Sequence, residues 1–320
     1  MGNDEARVAV NPTRLRANPS ENGLSMATTR AYHRRTRIVS AATLGGALVL
    51  LIVLSASPAR VHAESVFGTL RSPGQPALIA GHRGDRSAAP ENTLPALQGA
   101  LDSTMDFVET DIQLSSDGVP VLIHDTTVDR TTDGTGAVAD LSYGELRTLD
   151  AGSWYSGAFT GVPIPSLEEF LVIFADSPKQ ALLELKGFWT TDEVRLVTSL
   201  ITASGTQNRV TFASFDFTTI MNLREVAPTI PRVIIQRQLP ADPVGLAEHF
   251  HAIAILTSPA SVEADPTAVA AMHEAGLGLL LYTLNSKQRW SEALSLGVDG
   301  IITDSPSGLD EWLADTAPGT

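Results

Sequence analysis

The chain contains no cysteine and has few aromatic residues, which make up 6% of its sequence. Without cysteine it can form no disulfide, no thiolate metal site and no cysteine nucleophile. Basic residues are also scarce, since 22 lysines and arginines stand against 36 aspartates and glutamates, a net charge of −14. An acidic surface of this kind argues against nucleic acid and anionic lipid as partners, although a small anion could bind in a locally positive pocket.

The composition is otherwise that of a globular protein. The chain has 320 residues, of which 43% are hydrophobic and 18% are charged. A chain of this length can bury a core large enough to fold without disulfides. The sequence therefore predicts one large α/β domain or two small ones.

Residues 1–63 form a leader with the pattern of an export signal. A basic cluster at residues 33–37 precedes an apolar run at residues 38–56, and small residues follow up to Ala63. This order predicts a secretory signal that is cleaved after Ala63, and hence an exported protein, either extracellular or in the cell envelope. The apolar run approaches the length of a membrane span, so an uncleaved signal anchor is the alternative. Met26 is an alternative start of the chain.

Beyond the leader, the sequence predicts a linker at residues 64–76, one domain at residues 77–314 and a short tail at residues 315–320. Within the domain, β-rich and helical patterns alternate. Strands are predicted at residues 77–81, 106–114, 180–186, 209–214, 230–236, 252–257, 278–283 and 300–303. Eight such units predict a (β/α)8 TIM barrel. An open doubly wound sheet is the alternative, but no glycine-rich phosphate loop supports it.

Between the second and third of these units, the sequence predicts a β-hairpin followed by a long excursion at residues 126–165. Two registers of the hairpin are open. If Leu114 pairs with Val119, Glu109 faces His124, whereas a two-residue turn brings Asp111 opposite His124. In either register two carboxylates and an imidazole lie near one end of the strand.

Glu109 and Asp111 are two residues apart, so they project from the same face of a regular strand. Two carboxylates on one face repel each other unless a cation lies between them or one of them is protonated. Glu184 and Lys186 form a second same-face pair on a later strand. Because the active sites of TIM barrels lie at the carboxyl ends of the strands, we expect these side chains to meet at one rim.

Polar residues at the predicted strand ends together suit phosphate ester cleavage. Three carboxylates favour a hard cation, Mg²⁺ or Ca²⁺, over zinc. Arg83 and Lys186 can bind an anion, and two histidines can act as acid and base. The residues expected at the rim are His82, Arg83, Glu109, Asp111, Glu184, Lys186, Ser214, Gln236, Thr257, Asn285 and Asp304.

Several short motifs occur in one order along the chain: Gly81–Gly84 with Pro90–Thr93, Glu109–Asp111, His124–Asp125, Glu184–Lys186, Ser214–Phe215 and Gly297–Asp304. In this combination the sequence resembles the glycerophosphodiester phosphodiesterase family over about residues 77–314. The resemblance implies a TIM-barrel hydrolase that splits glycerophosphodiesters into sn-glycerol 3-phosphate and an alcohol.

The resemblance also implies roles for single residues. His82 and His124 would be the acid–base pair, and Glu109, Asp111 and Glu184 would hold one divalent cation, Mg²⁺ or Ca²⁺. Arg83 and Lys186 would face the phosphate, and Glu91 would support these residues. Tyr282 stands where the family often has tryptophan, and it would contact the substrate.

Two other functions are compatible with the same residues. A lysophospholipase D would need an apolar groove at the mouth, for which the candidates are Trp154, Tyr155, Phe159, Phe188 and Trp189. A catalytically silent barrel that binds a phosphodiester is the other. The remaining histidines, His249, His251 and His273, are expected to be structural or on the surface. Asp125 is expected to orient His124, and Asp304 to act as a turn or N-cap residue.

Overall fold

The structure, a computed structural model, describes residues 61–316. A sheet of nine strands runs in the order β1-β9-β8-β7-β6-β5-β4-β2-β3, and pairing of β1 with β2 closes it into a barrel. Every neighbouring pair is parallel except β2 with β3, which form a hairpin. The predicted (β/α)8 barrel is confirmed. The strands are β1 (Leu78–Gly81), β2 (Phe107–Leu114), β3 (Pro120–Leu122), β4 (Gln180–Leu185), β5 (Val210–Ser214), β6 (Arg232–Gln236), β7 (Ala254–Thr257), β8 (Gly278–Leu281) and β9 (Gly300–Thr303).

Helices follow the barrel strands and cover the outside of the barrel. The helices of the described chain are α1 (Glu64–Phe67), α2 (Leu94–Asp102), α3 (Tyr143–Leu146), α4 (Leu167–Ala175), α5 (Thr191–Ala203), α6 (Phe217–Val226), α7 (Pro243–His249), α8 (Pro259–Ala264), α9 (Thr267–Glu274), α10 (Lys287–Leu296) and α11 (Pro306–Thr316). Their ends carry expected signals: Ser166 and Glu169 form a capping box at the start of α4. Gly297 ends α10 in the left-handed conformation that glycine adopts without strain.

The hairpin is present, but neither predicted register occurs. Leu114 pairs with Pro120 and Ile112 with Leu122, so the turn between the strands has five residues. Ser115 determines this length, because its backbone donates to Val119 O while its hydroxyl accepts the Val119 N–H. Each predicted register is therefore off by one residue. His124 lies just beyond the end of β3 instead of in a ladder position.

The excursion that follows β3 has a small core of its own. Its buried apolar side chains include Val128, Val138 and Leu146. Two contacts fix it over the barrel mouth: the Tyr155 hydroxyl donates to Ser87 O at 2.6 Å, and Arg130 binds a buried carboxylate of the loop after β1. The excursion is thus part of the wall around the site.

Residues 64–76, which the sequence predicts as a linker, begin with the short helix α1. Phe67 of this helix is 4% exposed and packs with Ala80, Phe107 and Leu280 in the interior of the barrel. Its ring lies so close to Gly278 that a Cβ there would be 2.8 Å from it. The apolar character of Phe67 explains the difference, since an aromatic ring gains free energy by filling the end of an apolar barrel.

The predicted apolar run at residues 38–56 and most of the leader lie outside the described residues. Ala63, after which cleavage is predicted, is described and fully buried. Within residues 61–316, no helix is both long enough and apolar enough to cross a membrane. Of the predicted tail, residues 315–316 continue α11, and residues 317–320 are not described.

Candidate active site

Three buried carboxylates meet at the carboxyl end of two neighbouring strands. Glu109 and Asp111 lie on β2 and Glu184 lies on β4, where the pairing places Asp111 directly beside Glu184. One oxygen from each of the three lies within 4.8 Å of the others. They are 4%, 1% and 9% exposed, so water does little to screen the repulsion between their charges. The structure thus brings together the three residues predicted to bind a metal.

The donor set fits a divalent cation. Asp111 Oδ1 is buried and has no hydrogen-bond partner, and the nearest cation, Lys186 Nζ, is 3.4 Å away. A buried carboxylate oxygen left without a hydrogen bond is costly unless something else fills its coordination. All the available ligands are oxygens, which hard cations such as Mg²⁺ and Ca²⁺ prefer.

The repulsion within the cluster is visible in the pKa values. Burial, together with the charges of Asp111 and Glu184, raises the pKa of Glu109 well above its usual range. Burial and the charge of Asp111 raise the pKa of Glu184 to about 7. Burial also acts to raise the pKa of Asp111, but the positive charges of Lys186 and Arg83 outweigh it and lower that pKa. Without a cation, therefore, full ionisation of all three carboxylates is unfavourable.

Two basic side chains flank the carboxylates. Lys186 Nζ lies 2.7 Å from Glu184 Oε1, and Arg83 Nε lies 3.3 Å from Asp111 Oδ2. Arg83 adopts φ +59°, an uncommon conformation for a residue with a side chain, and its N–H donates to Glu109 Oε2 at 2.7 Å. Gly84 next to it approaches α2 so closely that a Cβ would lie 2.5 Å from the Ala96 carbonyl carbon. The turn after β1 is thereby fixed against both β2 and α2.

Glu91 lies beneath the site and forms ion pairs with three arginines. It is 5% exposed, and Arg83 Nη1 donates to Oε1 at 2.6 Å. Arg130 Nη2 donates to the same oxygen at 2.7 Å, and Arg86 Nη2 lies 3.0 Å from Oε2. Glu91 therefore holds Arg83 in place, as the sequence predicts, and it also joins the excursion to the loop after β1. No motif indicated the roles of Arg86 and Arg130 beforehand.

Each of the two candidate catalytic histidines has a carboxylate at the same ring nitrogen. His82 Nδ1 lies 2.6 Å from Asp304 Oδ1, and His124 Nδ1 lies 2.7 Å from Asp125 Oδ1. An ionised carboxylate can only accept, so Nδ1 carries the proton and Nε2 is left free in the neutral ring. Hydrogen bonds and positive charges hold the pKa values of both aspartates below the usual range, despite opposing burial. Burial is the main cause that lowers the pKa of His124, which keeps this ring neutral at pH 7.

Asp125 has the partner that the sequence predicts, whereas Asp304, predicted to be a turn or N-cap residue, instead contacts side chains of the rim. Asn285 Nδ2 donates to Asp304 Oδ2 at 2.8 Å. Arg86 Nη1 also lies 3.3 Å from Asp304 Oδ1. The signal for this role is its position immediately after β9, at the same rim as His82.

A cavity of about 720 Å³ opens at this rim. Seven of the predicted site residues line it, while Asp111 and Glu91 lie buried behind the wall. Phe215, Arg237 and Ser258 also line it and were not predicted. The predicted residues on the wall are His82, Arg83, Glu109, His124, Glu184, Lys186 and Tyr282.

On β5, β6 and β7 the rim prediction is off by one residue. The cavity is lined by Phe215, Arg237 and Ser258, each of which directly follows a predicted rim residue. Those residues, Ser214, Gln236 and Thr257, do not line it; the Ser214 hydroxyl, for example, donates to Leu185 O at 2.7 Å. Both faces of a barrel strand are apolar, so alternation in the sequence does not reveal which face points inward.

The aromatic residues proposed for a lipid groove do not form one. Trp189 is 2% exposed and its indole N–H donates to Lys186 O. Tyr155 packs edge to face against both Trp154 and Phe159 in the excursion. Phe188 is 61% exposed, and none of these five residues is on the cavity wall.

The three histidines expected to be structural or on the surface lie away from the cavity. His273 Nε2 is 2.9 Å from the buried Asp299 Oδ2, a structural contact at the opposite end of the barrel. His249 is exposed on α7, and His251 lies in the turn after it with φ +51°.

Comparison with known proteins agrees with this geometry. A sequence profile described as the glycerophosphoryl diester phosphodiesterase family matches residues 82–307, from the first candidate catalytic histidine to the start of α11. The chain belongs to the glycerophosphoryl diester phosphodiesterase family. This confirms the predicted resemblance and makes the chain a phosphodiesterase by membership.

Two relatives align with this phosphodiesterase over nearly their whole length. A glycerophosphodiester phosphodiesterase of Caldanaerobacter subterraneus subsp. tengcongensis is 32% identical over 235 residues, 72% of this chain and 96% of the relative. The crystal structure of a glycerophosphodiester phosphodiesterase from Agrobacterium tumefaciens str. C58 superposes with a TM-score of 0.66 at 31% identity, over 74% of this chain and 100% of that one.

A phosphodiesterase from Oleispira antarctica, solved in complex with the product sn-glycerol-3-phosphate, has a TM-score of 0.68 at 26% identity. The alignment covers 74% of this phosphodiesterase and 96% of that chain.

Proposed function

We propose that this phosphodiesterase hydrolyses small glycerophosphodiesters to sn-glycerol 3-phosphate and an alcohol, with one divalent cation and a histidine pair. The observation that carries the proposal is the single cavity whose wall holds both histidines, Arg83 and Lys186 next to three clustered carboxylates. The Oleispira antarctica relative was solved with sn-glycerol-3-phosphate, which is also the product proposed for this phosphodiesterase.

Glu109, Asp111 and Glu184 would hold the cation, whose bound charge would stabilise negative charge on the phosphoryl oxygens. The choice between Mg²⁺ and Ca²⁺ is open, because both prefer oxygen ligands. Asp111 Oδ1, which is buried without a hydrogen-bond partner, supports cation binding independently of any relative.

The basic side chains bind the phosphate. Arg83 and Lys186 sit beside the carboxylates on the cavity wall, where they would donate hydrogen bonds to the two free phosphate oxygens. Their own pKa values are raised, because neighbouring carboxylates outweigh the effect of burial, so both are cationic at neutral pH.

His82 and His124 move protons. Each presents a free Nε2 while its Nδ1–H is held by an aspartate, an arrangement that fixes both the tautomer and the ring orientation. One ring, in its neutral form, would take a proton at Nε2 from the water that attacks phosphorus. The other, already protonated at Nε2, would give that proton to the alkoxide oxygen as its bond to phosphorus breaks. The carboxylate partners stabilise the imidazolium form of each ring.

The test measures release of the free alcohol (choline, ethanolamine or serine) from glycerophosphocholine, glycerophosphoethanolamine, glycerophosphoserine and lysophosphatidylcholine, with and without a chelator. For the three water-soluble diesters, sn-glycerol 3-phosphate is measured as the second product. We expect turnover of the water-soluble diesters, loss of turnover with chelator and recovery on adding Mg²⁺ or Ca²⁺. His82→Ala should lower kcat by about 10²–10⁴-fold. His249→Ala, which removes an exposed histidine of α7, is the matched control and should leave kcat unchanged.

Other outcomes separate the alternatives. Turnover of lysophosphatidylcholine alone would assign the lysophospholipase D activity instead. Binding of the diesters without turnover, and without an effect of His82→Ala on affinity, would assign a silent binding barrel.

We also propose that the protein is exported, on the basis of the basic, apolar and small-residue pattern of its first 63 residues. N-terminal sequencing of the protein from its native cells distinguishes the two forms. A mature chain that begins at Glu64 indicates cleavage, and an intact leader in a membrane fraction indicates an anchor.

A further inference from the structure

Arg237 stands apart from the other arginines of the structure. Among the described residues it is the one arginine whose guanidinium makes no hydrogen bond or ion pair, while the others bind carboxylates or backbone carbonyls. It is nevertheless on the wall of the catalytic cavity, and its side chain is exposed there. A cation without a counter-ion at the wall of a binding cavity is a candidate ligand contact.

The backbone of Arg237 is fixed even though its side chain is unpaired. The hydroxyls of Ser258 and Ser261 both donate to Arg237 O, at 2.8 and 3.2 Å. Ser258 lies at the end of β7 and also lines the cavity. The position of Arg237 at the rim is therefore set by the neighbouring strand, and only the guanidinium is free to turn.

Arg237 lies across the barrel mouth from His82 and Arg83. It follows β6, and the strand order places three strands between β6 and β1 in either direction around the barrel. His82 and Arg83 follow β1, whereas Glu184 is on β4, which only β5 separates from β6. A substrate whose phosphate contacts Arg83 would have to extend over the mouth to reach Arg237.

The cavity has room for such an extension. Its volume of about 720 Å³ falls in the range of pockets for drug-sized ligands, so glycerol and phosphate would leave much of it free. Phe215 and Tyr282 lie between the two sides and pack edge to face with ring centres 6.1 Å apart. The charge of Arg237 reaches Tyr282, since it opposes the burial that raises the pKa of this hydroxyl.

The aromatic pair alone would suit a cationic alcohol such as choline, because the faces of aromatic rings attract ammonium groups. A guanidinium beside them has the opposite effect, since it repels a cation and attracts an anion. Arg83 and Lys186 are already ion-paired with the carboxylate cluster, so Arg237 is the cation left for the remainder of the substrate.

We propose that Arg237 selects diesters whose leaving alcohol carries a carboxylate or other anionic group. Arg237 is then a specificity-determining residue at the side of the cavity that holds the alcohol. This inference depends on the proposed diesterase function and names the class of substrate within it.

The test compares two substrates that differ by one carboxylate, glycerophosphoserine and glycerophosphoethanolamine. The quantity measured is the ratio of their kcat/KM values in the wild type, Arg237→Gln and Arg237→Lys. We expect the wild type to prefer glycerophosphoserine and Arg237→Gln to lower the ratio by about fivefold, the scale of an exposed ion pair. Arg237→Lys should keep part of the preference. Lysine keeps the positive charge but lacks the planar guanidinium that binds a carboxylate through two N–H groups.

Two controls make the result specific. Arg195→Gln removes an exposed arginine of α5, which lies outside the cavity, and should leave the ratio unchanged. Raising the ionic strength should reduce the wild-type preference but not the ratio in Arg237→Gln, because salt screens exposed charges. Thermal melting checks that each variant is folded.

An unchanged ratio in folded Arg237→Gln would overturn this inference and leave the diesterase function standing. A wild type that prefers glycerophosphoethanolamine would also overturn it. Absence of turnover with every diester would instead overturn the proposed function, and this inference with it.

Discussion

Asp304 Oδ1 lies 2.6 Å from His82 Nδ1, although the two residues are 222 positions apart in the chain. His82 follows β1 and Asp304 follows β9, and these strands pair in parallel, so their carboxyl ends lie side by side. The contact joins the two ends of the domain at the active site. It also gives His82 the same support that Asp125 gives His124.

Replacing Asp304 with alanine should lower kcat while KM changes little, because the carboxylate contacts the ring of His82 and not the substrate. We expect a loss of at least about tenfold, smaller than the loss in His82→Ala, since the imidazole remains present without its orienting partner. Asp304→Asn should recover part of the activity because its amide oxygen can still accept the Nδ1–H. Steady-state kinetics of the three variants measure this.

Asp192→Ala is the matched control, since the side chain of Asp192 is 92% exposed on α5. A change in KM alone, or equal losses in the alanine and asparagine variants, would argue against a positioning role for Asp304.

Replacing Glu109 with glutamine should abolish the increase in thermal stability that a bound divalent cation gives. The wild type should melt at higher temperature with Mg²⁺ or Ca²⁺, since a ligand at 100 times its Kd adds about 2.7 kcal/mol to the free energy of unfolding. Glu109→Gln should lose this response while its metal-free form stays as stable as the wild type or becomes more stable, because the variant relieves repulsion in the cluster. Thermal melting with and without each ion measures both effects.

Glu168→Gln changes an exposed carboxylate of α4 and should behave as the wild type. A full metal response in Glu109→Gln would place the ion elsewhere.

Replacing Phe67 with alanine should destabilise the whole barrel. Phe67 is 4% exposed in the interior cluster, and removal of a buried phenylalanine ring costs about 3–5 kcal/mol in free energy of unfolding. Phe188→Ala is the control because Phe188 is 61% exposed, so its removal should change the free energy of unfolding by less than about 0.5 kcal/mol. Chemical denaturation measures both, and equal stability of the two variants would mean that residues 64–76 act only as a linker.

Glu91 should contribute to stability in a pH-dependent way. Burial acts to raise the pKa of Glu91, but hydrogen bonding from Arg130 and the charges of Arg83 and Arg86 outweigh it, and the pKa is lowered. A lowered pKa in the folded state means that the contribution is fully present above the unfolded value of about 4.3 and is lost as the pH falls through the folded value.

Glu91→Gln should therefore lower the free energy of unfolding by about 3–5 kcal/mol at pH 7, because three arginines lose their shared partner. The difference from the wild type should stay constant down to about pH 5 and shrink at lower pH. Glu263→Gln, which changes an exposed partner of Arg289, should cost less than about 1 kcal/mol. A Glu91→Gln deficit that does not shrink in acid would show that the carboxylate charge is not what stabilises the network.

The local sequence alone predicted the barrel, the two same-face pairs and the histidine pair. Alternation of strand and helix signals predicted the barrel, because each unit must bury one apolar face and only a few layer architectures allow it. The spacing of Glu109 and Asp111, and of Glu184 and Lys186, predicted two same-face pairs, since the strand period of two is a local property. The motifs that resemble the family predicted the histidine pair for the same reason: each motif is short and contiguous.

Three features of the protein were decided only in the folded structure. The register of the hairpin was settled by Ser115 within its own turn, one residue away from both predictions. The inward face of β5, β6 and β7 was fixed only when the barrel closed, which placed Phe215, Arg237 and Ser258 on the wall. Both faces of these strands are apolar, one toward the barrel interior and one toward the helices, so the sequence pattern is the same for either choice. The pairing of β1 with β9, and with it the contact of His82 with Asp304, exists only in the closed barrel.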